Sequence, residues 1–193
     1  MAGPRINFNG VTSLLVDSDN YTRGLVAQML RGFGMDSPIT AESGAAAQAI
    51  LKHQCPDLCI FEGILPDMTS AELTRWIRHL KSPIRFVPVL VLTGYTQLRM
   101  VAGARDGGAN IVVKKPVSPR TLFDRLVWIA RVARPFIETK EYSGPDRRFR
   151  TREPPDGVYK RDTDDVSLTA TSETGEMEIH PVAQDHAPKW MAK

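Results

Sequence analysis

Five short apolar runs, each followed by a longer amphipathic stretch, constrain this 193-residue chain more than any other feature. The runs are Ser13-Leu14-Leu15-Val16, Pro38-Ile39-Thr40-Ala41, Leu58-Cys59-Ile60-Phe61, Val89-Leu90-Val91-Leu92 and Ile111-Val112-Val113. Between and after them apolar residues recur at helical spacing over 21–32, 45–52, 71–81, 97–107 and 119–132. Ser118-Pro119 opens the last of these with an N-cap residue and a proline in the first turn. A strand that is apolar throughout is buried on both faces, as happens when helices cover both sides of a parallel sheet. Five strand-then-helix repeats therefore predict an α/β fold with a five-stranded, doubly wound parallel sheet. Polar groups at the carboxyl ends of such strands converge on one crevice, and chemistry belongs there.

The pattern stops near residue 139. Residues 1–139 carry 16 basic and 11 acidic side chains, whereas 140–193 carry 9 and 11, so the overall +3 conceals an acidic tail. In that tail Val158, Val166, Leu168, Met177, Ile179, Val182, Trp190 and Met191 are scattered among Pro, Gly, Asp, Thr and Glu. Such a segment buries too little apolar area to offset its chain entropy and is expected to be largely disordered. There is no internal repeat of about 20–50 residues. No apolar run reaches the roughly 18 residues of a membrane span, and no charged-then-apolar leader opens the chain, so the expected location is cytoplasmic. Cys55 and Cys59 alone build neither a disulfide framework nor a four-ligand zinc site. They are expected to be buried or half-buried thiols. Trp76 and Trp128 sit at helical spacing as packing residues, and His53 and His79 fall near helix ends.

The strand ends carry Asp17 and Asp19 after the first run, Glu62 after the third, Thr93 after the fourth, and Lys115-Pro116 after the fifth. With Leu14-Leu15-Val16-Asp17, Pro56-Asp57-Leu58, Leu65-Pro66-Asp67-Met68, Leu92-Thr93-Gly94 and Lys114-Lys115-Pro116 in this order, residues 10–135 resemble the receiver domain of two-component response regulators, the CheY-like, flavodoxin-like fold. The resemblance implies a phosphate-accepting aspartate at the end of strand three. It also implies Mg2+ held by that aspartate and by an acidic pair after strand one. Here the acceptor place holds Glu62, whose extra methylene moves the carboxylate out of attack geometry; a misplacement of about 1 Å can cost 100-fold in rate. Asp17 matches the first acid of the pair, but Ser18 stands at the second, a weak ligand for a hard cation. Asp19 comes one residue late, pointing either into the pocket or away from it. Val112 replaces the usual switch aromatic, while Thr93 and Lys115 match. These departures argue against Mg2+ and a phospho-switch. Glu62 either pairs with Lys115 and imitates the phosphorylated state, or the pocket is a relic serving stability.

The tail contains one arginine-dense insert. Residues 145–161 hold six basic and three acidic side chains, with Arg147, Arg148, Arg150 and Arg152 in six consecutive positions. Guanidinium binds phosphate bidentately, reads the O6/N7 edge of guanine and stacks on flat rings. Interspersed aspartates accept from guanine N1–H and N2–H. Asp146, Arg147, Arg148, Arg150, Arg152, Arg161, Asp164 and Ser167 thus form a candidate site for a phosphate-bearing guanine nucleotide, and cyclic di-GMP suits it. Arg161-Asp162-Thr163-Asp164 resembles the R-x-x-D element of cyclic di-GMP-binding proteins. Arg148 to Arg152 and Asp165-Val166-Ser167 are similar to PilZ elements, but the following glycine is absent and the polar tail cannot supply that barrel.

Receiver followed by arginine-rich tail resembles the CheY-like cyclic di-GMP effectors, the Cle group. That resemblance implies docking on the flagellar switch protein and recruitment to the motor. It divides the chain into a receiver-like domain (10–135), an arginine-rich nucleotide-binding segment (140–168) and a disordered tail (169–193). No catalytic residue is assigned, no prosthetic group is expected, and the chain is read as a non-enzyme. The competing readings are a receiver acting purely by protein contact, phosphate-dependent or constitutive, with the tail a solvated linker, and a nucleic-acid binder. The last is disfavoured by a local charge of only +3 and by Asp162, Asp164 and Asp165, which repel a duplex.

Overall fold

The five apolar runs become five parallel strands, β1 (Ser13–Val16), β2 (Ile39–Ala41), β3 (Leu58–Glu62), β4 (Val89–Thr93) and β5 (Ile111–Lys114). The computed structural model describes residues 6–81, 83–95, 97–132, 134–146 and 178–180. Strand order is β2-β1-β3-β4-β5. The order reverses between β1 and β3, which pair in register from Ser13 opposite Leu58 to Val16 opposite Phe61. That reversal opens the crevice of a doubly wound sheet at the carboxyl ends of these two strands.

Alternation along each strand divides the core into two layers. Leu15, Leu58, Ile60, Leu90, Leu92 and Val113 face α1 (Asn20–Gly32) and α5 (Pro119–Arg131). Leu14, Val16, Cys59, Phe61, Val89 and Val91 face α2 (Gly44–Leu51), α3 (Ser70–Arg78) and α4 (Leu98–Asp106). Trp128 and Trp76 pack as partly buried residues against the first and second layer respectively. Cys59 is buried, but Cys55 is exposed in the turn before β3, which corrects its expected burial.

Polar residues start the helices. Asp19, Ser43, Thr69 and Ser118 each accept from a backbone N–H in the first turn, at α1, α2, α3 and α5 respectively, satisfying donors that have no intrahelical partner. Thr69 and Glu72 cap each other reciprocally. Asp67 from the β3–α3 connection accepts from Gly44 and Ala45 N–H, both at 2.8 Å, and ties that connection to α2. These bonds hold its carboxyl below the usual carboxylate range. α3 ends at Arg78, three residues short of its expected end, with His79 as C-cap. Pro83 bars continuation because its ring would collide with the carbonyl four residues back, and Pro83–Phe86 form a 3-10 turn instead.

Beyond α5 the chain adds β6 (Phe136–Glu138), β7 (Ser143–Pro145) and β8 (Glu178–His180), an antiparallel sheet of order β7-β6-β8. The β6–β7 hairpin lies against the amino ends of β4 and β5. Arg85 pairs with Glu138 at 2.7 Å, and Phe86 meets Phe136 edge to face at 4.8 Å. Gly108, at φ +95°, admits the hairpin because any Cβ there would lie 2.8 Å from the Ser143 carbonyl oxygen.

Beneath this junction Arg78 is 1% exposed. Its guanidinium donates five hydrogen bonds: to the carbonyls of Gly108 (twice), Arg85 and Val87, and to Asn110 Oδ1. Burial pulls it down to about 10. It therefore stays charged at neutral pH, with carbonyl dipoles in place of a carboxylate partner.

Candidate functional site

Asp17 and Glu62 reach the crevice because β1 and β3 end side by side there. Asp17 is 3% exposed. Its Oδ1 accepts from Asp19 N–H at 2.9 Å and its Oδ2 from the Lys115 ammonium at 2.7 Å. Arg23 fixes the turn by donating to the Asp17 carbonyl at 2.5 Å and to Glu42 at 2.8 Å. Glu62 is the last residue of β3. Its Oε1 accepts from Gly63 N–H, and its Oε2 makes a very short ion pair with Lys115. Lys115, following β5, thus bridges two carboxylates from two other strands.

Thr93, 4% exposed at the end of β4, closes the remaining side. Its hydroxyl accepts from Tyr95 N–H at 3.0 Å. Gly63 is required beside it, since a Cβ there would fall 2.4 Å from Thr93 Oγ1. Of the six pocket residues expected from sequence, Asp17, Glu62, Thr93 and Lys115 come together. Ser18 is exposed. Asp19 turns away: it caps α1 through Thr22 N–H at 2.6 Å, and that bond holds its carboxyl below the usual range.

Every carboxylate oxygen of Asp17 and Glu62 already faces an ammonium or an amide, and position 18 offers only a hydroxyl. Among the described residues no group of three or more His, Cys, Asp or Glu is placed to hold a metal ion. Of the expected nucleotide ligands only Asp146 lies within the described residues. Its N–H donates to the Pro135 carbonyl and its own carbonyl accepts from Arg134. Arg147, Arg148, Arg150, Arg152, Arg161, Asp164 and Ser167 lie outside them.

Electrostatics make Lys115 the keystone of the pocket. Burial alone would lower its affinity for the proton, but the hydrogen bonds and charges of Asp17 and Glu62 outweigh burial and raise it above the ordinary lysine value. A base raised in the folded state stabilises fully below its unfolded value and loses that contribution as pH climbs through the folded one. Lys115→Met should cost about 3 kcal/mol in urea unfolding at pH 7, because the buried Asp17 and the part-buried Glu62 lose their counter-ion. It should also abolish the alkaline part of the stability profile. Adding Glu62→Gln should recover part of the loss, by roughly 1 kcal/mol.

A doubly wound sheet of this order, with an acid, a hydroxyl and a lysine at the ends of β1, β4 and β5, defines the receiver class. Residues 13–127 match the sequence profile of the response regulator receiver domain, and the chain belongs to that family. It is 29% identical over 122 residues to the phosphate regulon transcriptional regulatory protein PhoB of Pseudomonas aeruginosa, covering 63% of this chain but only 52% of PhoB. It therefore spans about half the length of that relative. Among solved structures, a putative response regulator from Chloroflexus aurantiacus is 30% identical with a TM-score of 0.57, covering 63% of this chain and 98% of that one. Chemotaxis response regulator CheY4 of Vibrio cholerae is 28% identical with a TM-score of 0.58, covering 63% and 99%. Among the described residues no helix is long and apolar enough to cross a membrane.

Proposed function

We propose that this chain is a phosphate-independent receiver effector, a signalling module rather than an enzyme, whose output is contact with a protein partner. The carrying observation is the Lys115 ammonium lodged between Asp17 Oδ2 and Glu62 Oε2. It occupies the place between the carboxylates that a cation would need, and Glu62 supplies permanently a negative group at the acceptor position. The input in this reading is cyclic di-GMP, taken by Arg147, Arg148, Arg150, Arg152 and Arg161, with Asp146 and Asp164 accepting from guanine or orienting the arginines and Ser167 supporting the phosphate. Guanidinium chemistry and the order of receiver and tail support this. The partner is the flagellar switch protein, with the chain cytoplasmic and recruited to the motor; likeness to a chemotaxis response regulator supports the link to motility.

The full chain, incubated with acetyl phosphate and Mg2+, should show no gain in intact mass. Titrated with cyclic di-GMP in a calorimeter, it should bind saturably, more weakly as salt rises, and not at all as Arg147→Ala plus Arg148→Ala. A stoichiometric, acid-labile adduct would overturn phosphate independence, and absence of heat with the parent chain would overturn the ligand.

A further inference from the structure

A cleft of about 140 Å³ opens between α4 and β5, lined by Val101, Ile111 and Val112 on its apolar wall and by Asn110, Arg105 and Arg134. Whole ligands of drug size need roughly 300–1,000 Å³. This cleft therefore has room for one ring or one phosphate, not for an entire dinucleotide. Two guanidiniums converge on it. Arg105 is exposed on α4 and has no carboxylate partner among the described residues. The Arg134 guanidinium is positioned by stacking over the Trp128 ring at 4.8 Å and by donating to the Asp146 carbonyl at 3.3 Å. Burial holds Arg134 below the usual arginine range; Tyr142 and Asp146 push the other way, and the Arg105 charge adds to the lowering. An anion between the two would relieve that repulsion, and paired guanidiniums favour phosphate oxygens through charge-assisted, bidentate hydrogen bonds. Asp146, at the start of the arginine-rich segment, is bonded to the same Arg134.

We infer that the α4–β5 cleft is a phosphodiester subsite of the nucleotide site, with Arg105 and Arg134 taking one phosphodiester of cyclic di-GMP. The inference rests on the cyclic di-GMP reading above and extends it from the tail to the globular domain. It gives the ligand a direct hold on α4 and β5, so that binding stiffens a face of the receiver rather than the tail alone.

The test uses the full chain with Trp76→Phe and Trp190→Phe, which leaves Trp128 as the fluorophore under Arg134. Cyclic di-GMP should change Trp128 emission, and Arg105→Ala should weaken binding about 10-fold or more while leaving the melting temperature unchanged, since Arg105 is exposed. Inorganic phosphate at high concentration should compete. Binding by the parent with equal affinity in Arg105→Ala and a silent Trp128 would overturn the subsite and leave the tail as the whole site. No binding by the parent would overturn the cyclic di-GMP reading itself, and the subsite with it.

Discussion

Glu62→Asp combined with Ser18→Asp should make this receiver take up a phosphoryl group from acetyl phosphate, with labelling raised at least about 100-fold over the parent. Shortening residue 62 by one methylene withdraws its carboxylate from Lys115 and returns it to the length that in-line attack requires. Aspartate at 18 supplies the second acid of the pair, beside Asp17, where a hard cation needs charged oxygens. Neither change alone should suffice, because the single variants lack either the nucleophile's geometry or the metal's second ligand. Intact mass after incubation with acetyl phosphate and Mg2+, with acid lability as the signature of an acyl phosphate, reads the outcome. If the double variant stays inert, the silence of the pocket resides in something other than positions 18 and 62.

The second large effect is expected far from the pocket. Arg78→Met should destabilise the protein by about 4 kcal/mol in urea unfolding, since the carbonyls of Gly108, Arg85 and Val87 lose charged donors in a place water does not reach. The guanidinium also lies 5.8 Å from the Phe136 ring, so β6 loses a contact. Arg78→Lys should recover only part of the loss, because an ammonium cannot present the fork that addresses three carbonyls at once. A loss below about 1 kcal/mol would show that water replaces the guanidinium, and that its five hydrogen bonds do not hold the junction.

The five strands were legible because each is an unbroken apolar run, and the pocket was legible because strand ends are where polar residues in such a chain have a reason to stand. Glu62 does pair with Lys115, an arrangement shared by a pocket that imitates the phosphorylated state and by a relic serving stability. The orientation of Asp19 was undetermined by sequence, although its spacing to Thr22 is that of a helix cap, and a cap it proved to be. Arg78 was illegible: a basic residue near a helix end reads as solvated, and only the fold brings the carbonyls of residues 85, 87 and 108 around it. The three short strands after α5 were equally hidden. Three residues are too few to carry a period, and the β6–β7 hairpin, whose second strand is Ser-Gly-Pro, docks through contacts to Gly108 and Arg85 distant in sequence.

That hairpin alters where the protein can be cut. The family resemblance ends at residue 127 and α5 at Arg131, so the obvious place to divide receiver from tail is just afterwards. A cut there would remove Phe136, Glu138 and Ser143, leave Arg85 without its acid, and uncover the backbone around Gly108. The packed unit that includes this hairpin is therefore longer than the unit shared with its relatives. Expression fragments and chimaeras should keep the chain through Asp146, and a fused module joined earlier would replace part of the receiver's own floor.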